Sequence, residues 1–278
     1  MGTVNTTLAA VALLALGACQ PTIGDAPGIG GGARADGGLP GGGGGGDPDP
    51  DAGSAPFPDS GPGVPQGVTL SQTTSDQILD LHSIACVEQD DEGNAIQNRD
   101  NSYYRVFDLD QQQVEGDLDV TSVIVGVESA STPDGNAQPA TARLHTLEGG
   151  FLVANMTQIA STDFDIEPQN QTTLEVPLTT TVPAGSTLVF ELFIPNATDG
   201  GTLLFIGSNN LGQTAPGYLR APSSGCDFIE PTDFADVGGA DFPDIHIVMM
   251  VSGTQTASAR VTESGTPAPA APRPVLVW

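Results

Sequence analysis

VTSVIVGVESA, running from Val120 to Ala130, is the stretch that decides the fold. Val123, Val125 and Val127 alternate with Ile124, Gly126 and Glu128, the period of two expected of a half-buried strand. A second run repeats it, with Ile245, Ile247, Met249 and Val251 on one face and His246, Val248 and Met250 on the other. Outward from these two, strands are predicted at Ser102 to Asp108, Thr141 to Leu147, Met156 to Asp165, Thr172 to Leu178, Thr187 to Ile194 and Leu203 to Gly207. Turn-forming clusters punctuate them, among them Pro133-Asp134-Gly135-Asn136, Pro183-Ala184-Gly185 and Thr198-Asp199-Gly200-Gly201. Eight or more short strands without an amphipathic helix predict an all-β chain folded as an antiparallel β-sandwich. Asp76 to Ser83 fits a short helix or a strand equally well. Tyr103 and Tyr104, being adjacent, should point to opposite faces of their strand, one into the core and one outward. His145 shares a face with Arg143, and His246 lies opposite the apolar side of its strand, so both histidines are expected at or near the surface.

The sandwich is assigned to residues 67–254, which is long enough to bury a substantial core. Before it, from Gln20 to Gln66, 16 Gly and 9 Pro fall among 47 residues, including six successive glycines and DPDPDAG. No core can form from that composition, and residues 19–66 read as a disordered tether whose coil reach is roughly 35 to 40 Å. Residues 255–278 are again low in complexity, with TPAPAAPRP before Val-Leu-Val-Trp, and read as a disordered tail. The alternative for the last four residues is a docking or sorting peptide.

At the start, LAAVALLALGAC (Leu8 to Cys19) holds a nine-residue apolar run, Leu8 to Leu16, far short of the about 20 residues that span a bilayer. It resembles the lipobox-type signal peptide of bacterial lipoproteins. The resemblance implies removal of residues 1–18, lipidation of Cys19 and an extracytoplasmic chain held in the envelope by its N-terminal lipid only. Gln20 after that cysteine is similar to the pattern released to an outer membrane or cell surface. An ordinary secretory signal is the alternative. With Cys19 lipidated, Cys86 and Cys226 remain, an even number that suits a disulfide in an oxidising compartment. Two reduced buried thiols are the other possibility.

The ordered segments NSYYRVFDL, VTSVIVGVESA, ATARLHTL, VPAGSTLVFEL, FIGSNNLGQTAPGYL and FPDIHIVMMVSG resemble a β-rich accessory module that recurs in secreted bacterial proteins, often attached to peptidases. The resemblance covers most of residues 67–253. It implies a jelly-roll-like sandwich and supplies no catalytic residues.

Charge narrows the partners. The chain has 34 acidic residues against seven Arg and no Lys, a formal net charge of −27, and 27 of the acids lie in the sandwich. Phosphate backbones would be repelled, which argues against nucleic acid. A solvated acidic surface is one reading, and calcium binding is the sharper one. The best calcium candidate is EPTDFADVGGADFPD, with Glu230, Asp233, Asp236, Asp241 and Asp244, since calcium takes six to eight oxygens. Its spacing matches no EF-hand, and an acidic structural loop competes with it.

No HExxH, GxSxG, Walker A or dinucleotide fingerprint is present, and the hexaglycine lies outside any strand and helix context. The expectation is therefore no enzyme. Sugar-binding sandwiches use Tyr or Trp as stacking platforms. The sandwich holds only Tyr103, Tyr104 and Tyr218, because Trp278 is in the tail. The best recognition loop is SNNLGQTAPGYLR, with Asn209, Asn210, Tyr218 and Arg220, and its alternative is a long crossover turn. The sequence thus predicts a surface-displayed binding or adhesion module for a glycan or protein ligand, with calcium as the one cofactor to consider. The competing expectations are a hydrolase with a carboxylate-based site and a structural envelope protein without soluble ligand.

Overall fold

A computed structural model describes residues 65–132, 135–197, 201–238 and 244–255. The proposed lipid site Cys19, residues 19–64 of the tether and residues 256–278 of the tail lie outside the described residues, while Gln66 and Gln255, assigned to tether and tail, belong to the first and last strands.

Among these residues the chain is all-β, as the alternation predicts. In order come β1 (Gln66–Ser71), β2 (Val87–Gln89), β3 (Ala95–Asn98), β4 (Asn101–Asp108), β5 (Leu118–Ser131), β6 (Gln138–Leu147), β7 (Met156–Ile166) and β8 (Gln169–Val182). They are followed by β9 (Thr187–Ile194), β10 (Leu203–Ile206), β11 (Ser208–Asn209), β12 (Tyr218–Ala221), β13 (Phe228–Asp233), the five-residue helix α1 (Phe234–Gly238), β14 (His246–Ile247) and β15 (Met249–Gln255).

Two antiparallel sheets make the sandwich. In the five-stranded one, β5 is the spine: β8 lines one edge, while β15 and then β10 line the other, and β1 closes outside β15. The six-stranded sheet runs β13-β12-β4-β9-β6-β7. A single core joins their inner faces, with Val123, Val125, Val127 and Val251 from the first and Phe107, Leu144, Phe190 and Leu192 from the second. Within the six-stranded sheet Ala142 stands opposite Leu192 and Leu144 opposite Phe190, all four buried in that core. Each of these large side chains is worth about 2 to 5 kcal/mol against truncation to Ala.

The last predicted strand is in fact two. Val248 leaves the ladder to bond Gly207 and Gly126, where three backbones meet between β15 and β10. A Cβ at Gly126 would stand 2.9 Å from the Val248 Cβ and 3.2 Å from the Gly207 Cα. The glycines permit this close approach, and it sends β14 away from β5 to pair with β11 instead.

Residues 76–83 form neither of the predicted elements. Their backbone is held from the side: Glu128 accepts the N–H groups of Leu81 and His82, Leu79 N–H donates to the Ser208 carbonyl, and the Ser208 hydroxyl bonds the His82 carbonyl. With partners for these backbone groups supplied by other parts of the chain, no local helix or ladder is required.

Arg105 sits on the inner face of β4 between Tyr103 and Phe107 and is completely buried. Its guanidinium donates to Gln213 Oε1 at 3.0 Å and to the carbonyls of Ala215 and Ile247 at 2.7 Å each. Burial lowers its pKa to about 10, so it stays charged at neutral pH. It thereby pins the crossover segment before β12, and β14, to the sandwich interior.

The two cysteines of the sandwich are joined. Cys86, just before β2, is bonded to Cys226, in the turn between β12 and β13, with Cα atoms 6.1 Å apart across 140 positions.

Candidate functional site

Outward-facing positions of the six-stranded sheet line up into one row. Register pairing places Asp233, Tyr218, Tyr104, Glu191, Arg143 and Ser161 side by side across β13, β12, β4, β9, β6 and β7. Such a row would ordinarily be solvated. Here its centre is buried, with Tyr104 1%, Glu191 4% and neighbouring His145 7% exposed.

Glu191 collects the donors around it. Oε1 accepts from the Tyr104 hydroxyl and from Arg143 Nη1, both at 3.2 Å, and Oε2 lies 2.9 Å from His145 Nε2. The Ser102 hydroxyl adds a further bond. Burial acts to raise the carboxyl pKa, but the bonds from His145 and Ser102 and the charge of Arg143 outweigh it and hold the group below its ordinary value. The Tyr104 phenol is pushed upward by burial and by the Glu191 charge. Arg143 also lies over the Phe193 ring, 4.5 Å from its centroid, which steers the guanidinium along the face. The carboxylate is thus an ionised hub held by four donors. Ser102 bonds the carboxylate rather than the imidazole, so the order Ser–Glu–His does not make the relay of a hydrolytic triad.

The cover is the loop between β6 and β7, residues 148–155. It reaches across the sheet as a strap, and Phe151 packs edge-on against Tyr104 (centroids 5.7 Å apart) and Tyr218 (4.7 Å). At its far side the Val153 N–H donates to Glu230 Oε2 at 2.8 Å. Phe151 covers the outward ring of Tyr104, so Tyr103 and Tyr104 are both buried rather than one of them, and His145 is buried beside Glu191 rather than surface-lying. The expectation for His246 is corrected as well: it is 8% exposed, because its Nδ1 accepts the Gly212 N–H beneath the crossover segment.

Of the residues singled out from sequence, Tyr218 stands in the row against Phe151. Arg220, two positions along β12, donates from Nε to the Ile229 carbonyl at 2.8 Å. Asn209 is fully buried: its amide donates to the carbonyls of Ser75 and Gln77 and its Oδ1 accepts the Leu211 N–H. It holds the 76–83 segment in place from within. Asn210 is exposed. Both asparagines lie at the β11–β14 ladder, apart from the row of Tyr218.

In the acidic stretch, Glu230 holds the strap, Asp233 caps the Ala235 N–H, Asp236 lies in α1 and Asp244 is exposed after it. Asp241 lies outside the described residues. Among the described residues no three His, Cys, Asp or Glu side chains are grouped to hold a metal ion, and no helix is long and apolar enough to cross a membrane.

Sequence reading missed Glu191, Tyr104 and Phe151 as members of one site. A signal existed for the first: a lone acid inside TLVFELFI is out of place in so apolar a strand. Nothing local marks Phe151, whose role depends on where the strap lands.

No known family model and no curated protein matches the chain. Among solved structures, an α-amino acid ester hydrolase labelled with selenomethionine is similar over 71% of this chain and 31% of its own length, at 9% identity and a TM-score of 0.22. The chain therefore spans about a third of that protein. A superposition that loose bears on neither fold nor activity.

Proposed function

We propose that the chain is a lipoprotein displayed outside the cytoplasm, whose sandwich is a non-catalytic binding module. The observation that carries the reading is the strapped row on the six-stranded sheet. Its buried centre, a fully bonded carboxylate, is suited to holding the face together rather than to passing protons, and the partly exposed Tyr218 and Arg143 at its margin are the groups left to meet a ligand. Display outside the cytoplasm is supported by the Cys86–Cys226 bond, which persists in oxidising compartments. The strand orders β1-β15-β5-β8 and β4-β9-β6-β7, with consecutive strands mostly crossing between sheets, favour a jelly roll, an architecture common among lectin domains.

Two experiments test it. Fatty-acid labelling in the native host should mark the protein and fail on Cys19→Ser; labelling that survives the substitution removes the lipid anchor from the proposal. The purified full chain should bind on an array of glycans and envelope proteins, with calcium and with chelator. Binding abolished by chelator brings calcium and the Glu230 to Asp244 stretch into the site, and no binding in either condition favours a structural envelope role.

A further inference from the structure

A sheet ends where a strand has a neighbour on one side only, and such an edge pairs with other chains unless something blunts it. Most edges of this sandwich are blunted. On the six-stranded sheet, β13 carries Pro231 and slips register against β12, and its Glu230 is taken by the strap. On the five-stranded sheet, β8 carries Pro177, β1 is six residues long, and the Asn98 side chain bonds the free N–H and carbonyl of Leu204 on β10. The exception is β7. Its 11 residues include no Pro, Gly, Lys or Arg, and among the described residues no strand but β6 bonds its backbone. A single bulge falls at Ile159, between the pairs Leu144–Ala160 and His145–Gln158. From Ala160 to Ile166 the ladder is unbroken, so every second residue there turns its N–H and C=O to the open side. The core is unfinished along the same edge, where Ala160 and Phe164 pack against it yet stay half-buried.

Beside that edge the outer face is recessed. A cleft of about 310 Å³ lies between Pro139 on β6, Pro195 after β9 and the outward Asp163 and Asp165 of β7, with Thr141 in its wall. The Thr141 hydroxyl donates to Asp163 Oδ1 at 2.8 Å. Neither aspartate pairs with a cation: among the described residues the ion pairs fall on Glu88 and Glu191. Standing two positions apart on one strand, the two carboxylates share a face about 7 Å from each other.

We propose that the open edge of β7 docks an extended basic segment of another protein, which adds as a seventh strand and lays a Lys or Arg side chain across β7 into the cleft. Main-chain bonds along such an edge supply affinity, and alternate side chains select the partner. The added strand stands about 4.8 Å from β7, within reach of a long cationic side chain whose apolar stem lies along Pro139 and Pro195 while its head meets Asp163 and Asp165. Apolar residues at the alternate positions finish the core beside Ala160 and Phe164. Charge decides against a second copy of this chain: at a net −27 two copies repel, and the same field draws a basic segment in. The edge lies four strands away from Tyr218 on β12, so the inference goes beyond the strapped row and stands or falls apart from it.

The test uses the full chain and a synthetic peptide, Lys-Val-Lys-Thr-Lys-Val-Lys, whose alternation matches the edge, in calorimetric titrations. The peptide should bind saturably, its counterpart with Glu in place of every Lys should not, and Asp163→Asn with Asp165→Asn should weaken binding tenfold or more. Asp91→Asn with Glu92→Gln, in the exposed β2–β3 turn, removes the same charge and should change it less than twofold. Two N-methylated peptides read the backbone pairing, one methylated at every Lys and one at every other residue. A strand turns alternate N–H groups to opposite sides, so one of these should lose binding and the other keep it. No binding by the basic peptide overturns the proposal, as does equal binding by the acidic one, equal loss in the two double variants, or equal behaviour of the two methylated peptides. A chain that sediments as a dimer with its β7 amides protected from exchange puts a second copy on the edge and overturns it too. Ligands that take the strapped row should bind the Asp163→Asn, Asp165→Asn chain unchanged, so failure at the edge and failure at the row are told apart.

Discussion

The two outer faces of this sandwich follow the same alternation and end in different states. On the five-stranded sheet, Thr69 and Ser252, Thr121 and the Ser252 carbonyl, and Thr181 and Asp119 make exposed contacts. On the six-stranded sheet Glu191, Tyr104 and His145 are buried, and a strap from the β6–β7 connection lays Phe151 against Tyr104 and Tyr218. The difference teaches that polarity of an outward position does not tell whether it is solvated. What decides is whether a loop from elsewhere lands on it, and a network so covered must be complete, since each missing partner leaves a buried charge or donor alone.

The largest expected break in that comparison is Glu191→Ala. It strands Arg143 and His145 and should cost about 3 to 5 kcal/mol, read as a fall in the urea midpoint. Removing the disulfide as Cys86→Ala with Cys226→Ala comes next, at about 2 to 5 kcal/mol. Because Cys226 lies in the turn that leads into β13, the strand that fastens the strap, hydrogen exchange should rise on the covered face before it rises on the open one.

Acid should separate the faces further. The depressed pKa of Glu191 means that its contribution is fully present above the ordinary value of 4.5 and is lost as pH falls through its lower folded value. His246 works in the same direction at higher pH. Burial first, then the charge of Arg105, holds its pKa below the ordinary 6.5, and its Nδ1 must stay unprotonated to accept from Gly212. Stability should therefore decline as pH drops below about 6.5 and decline again below about 4.5, with Glu191→Gln removing the second limb. Thr181→Ala on the open face sets the small end of the scale: a change within about 0.5 kcal/mol in the same urea assay. An equal loss at Thr181 and Glu191 would erase the distinction between the faces.

Much of the fold was legible in the residues because its strands alternate cleanly. Val123 to Val127 and Thr187 to Ile194 bury every second side chain into one core, and the even cysteine remainder pointed to the bond now seen. The candidate site was less legible for a physical reason. Its members lie on four neighbouring strands, β12, β4, β9 and β6, and a loop, brought together by register and by a strap whose landing place is a tertiary fact. Asn209 shows the converse. Amides in a Gly-containing loop look like recognition chemistry, yet a buried amide that holds another segment in place has the same composition. Likewise the split of the last strand at Val248 is invisible in its alternation, because Gly126 and Gly207, far away in sequence, create the crossing that causes it.

The pairing of β1 with β15 sets Gln66 directly opposite Gln255, so the two ends of the sandwich emerge side by side from one ladder. Mechanically this is a zipper. Tension applied between those two points loads the β1–β15 hydrogen bonds one pair at a time, whereas tension between Gln66 and the strapped face must pull across the whole body. Force spectroscopy with handles at residues 66 and 255 should record a low opening force, and handles at 66 and 152 a higher one. A module tethered at one end and gripped at the far sheet would thus bear drag through its strong direction, while its two chain ends peel apart easily.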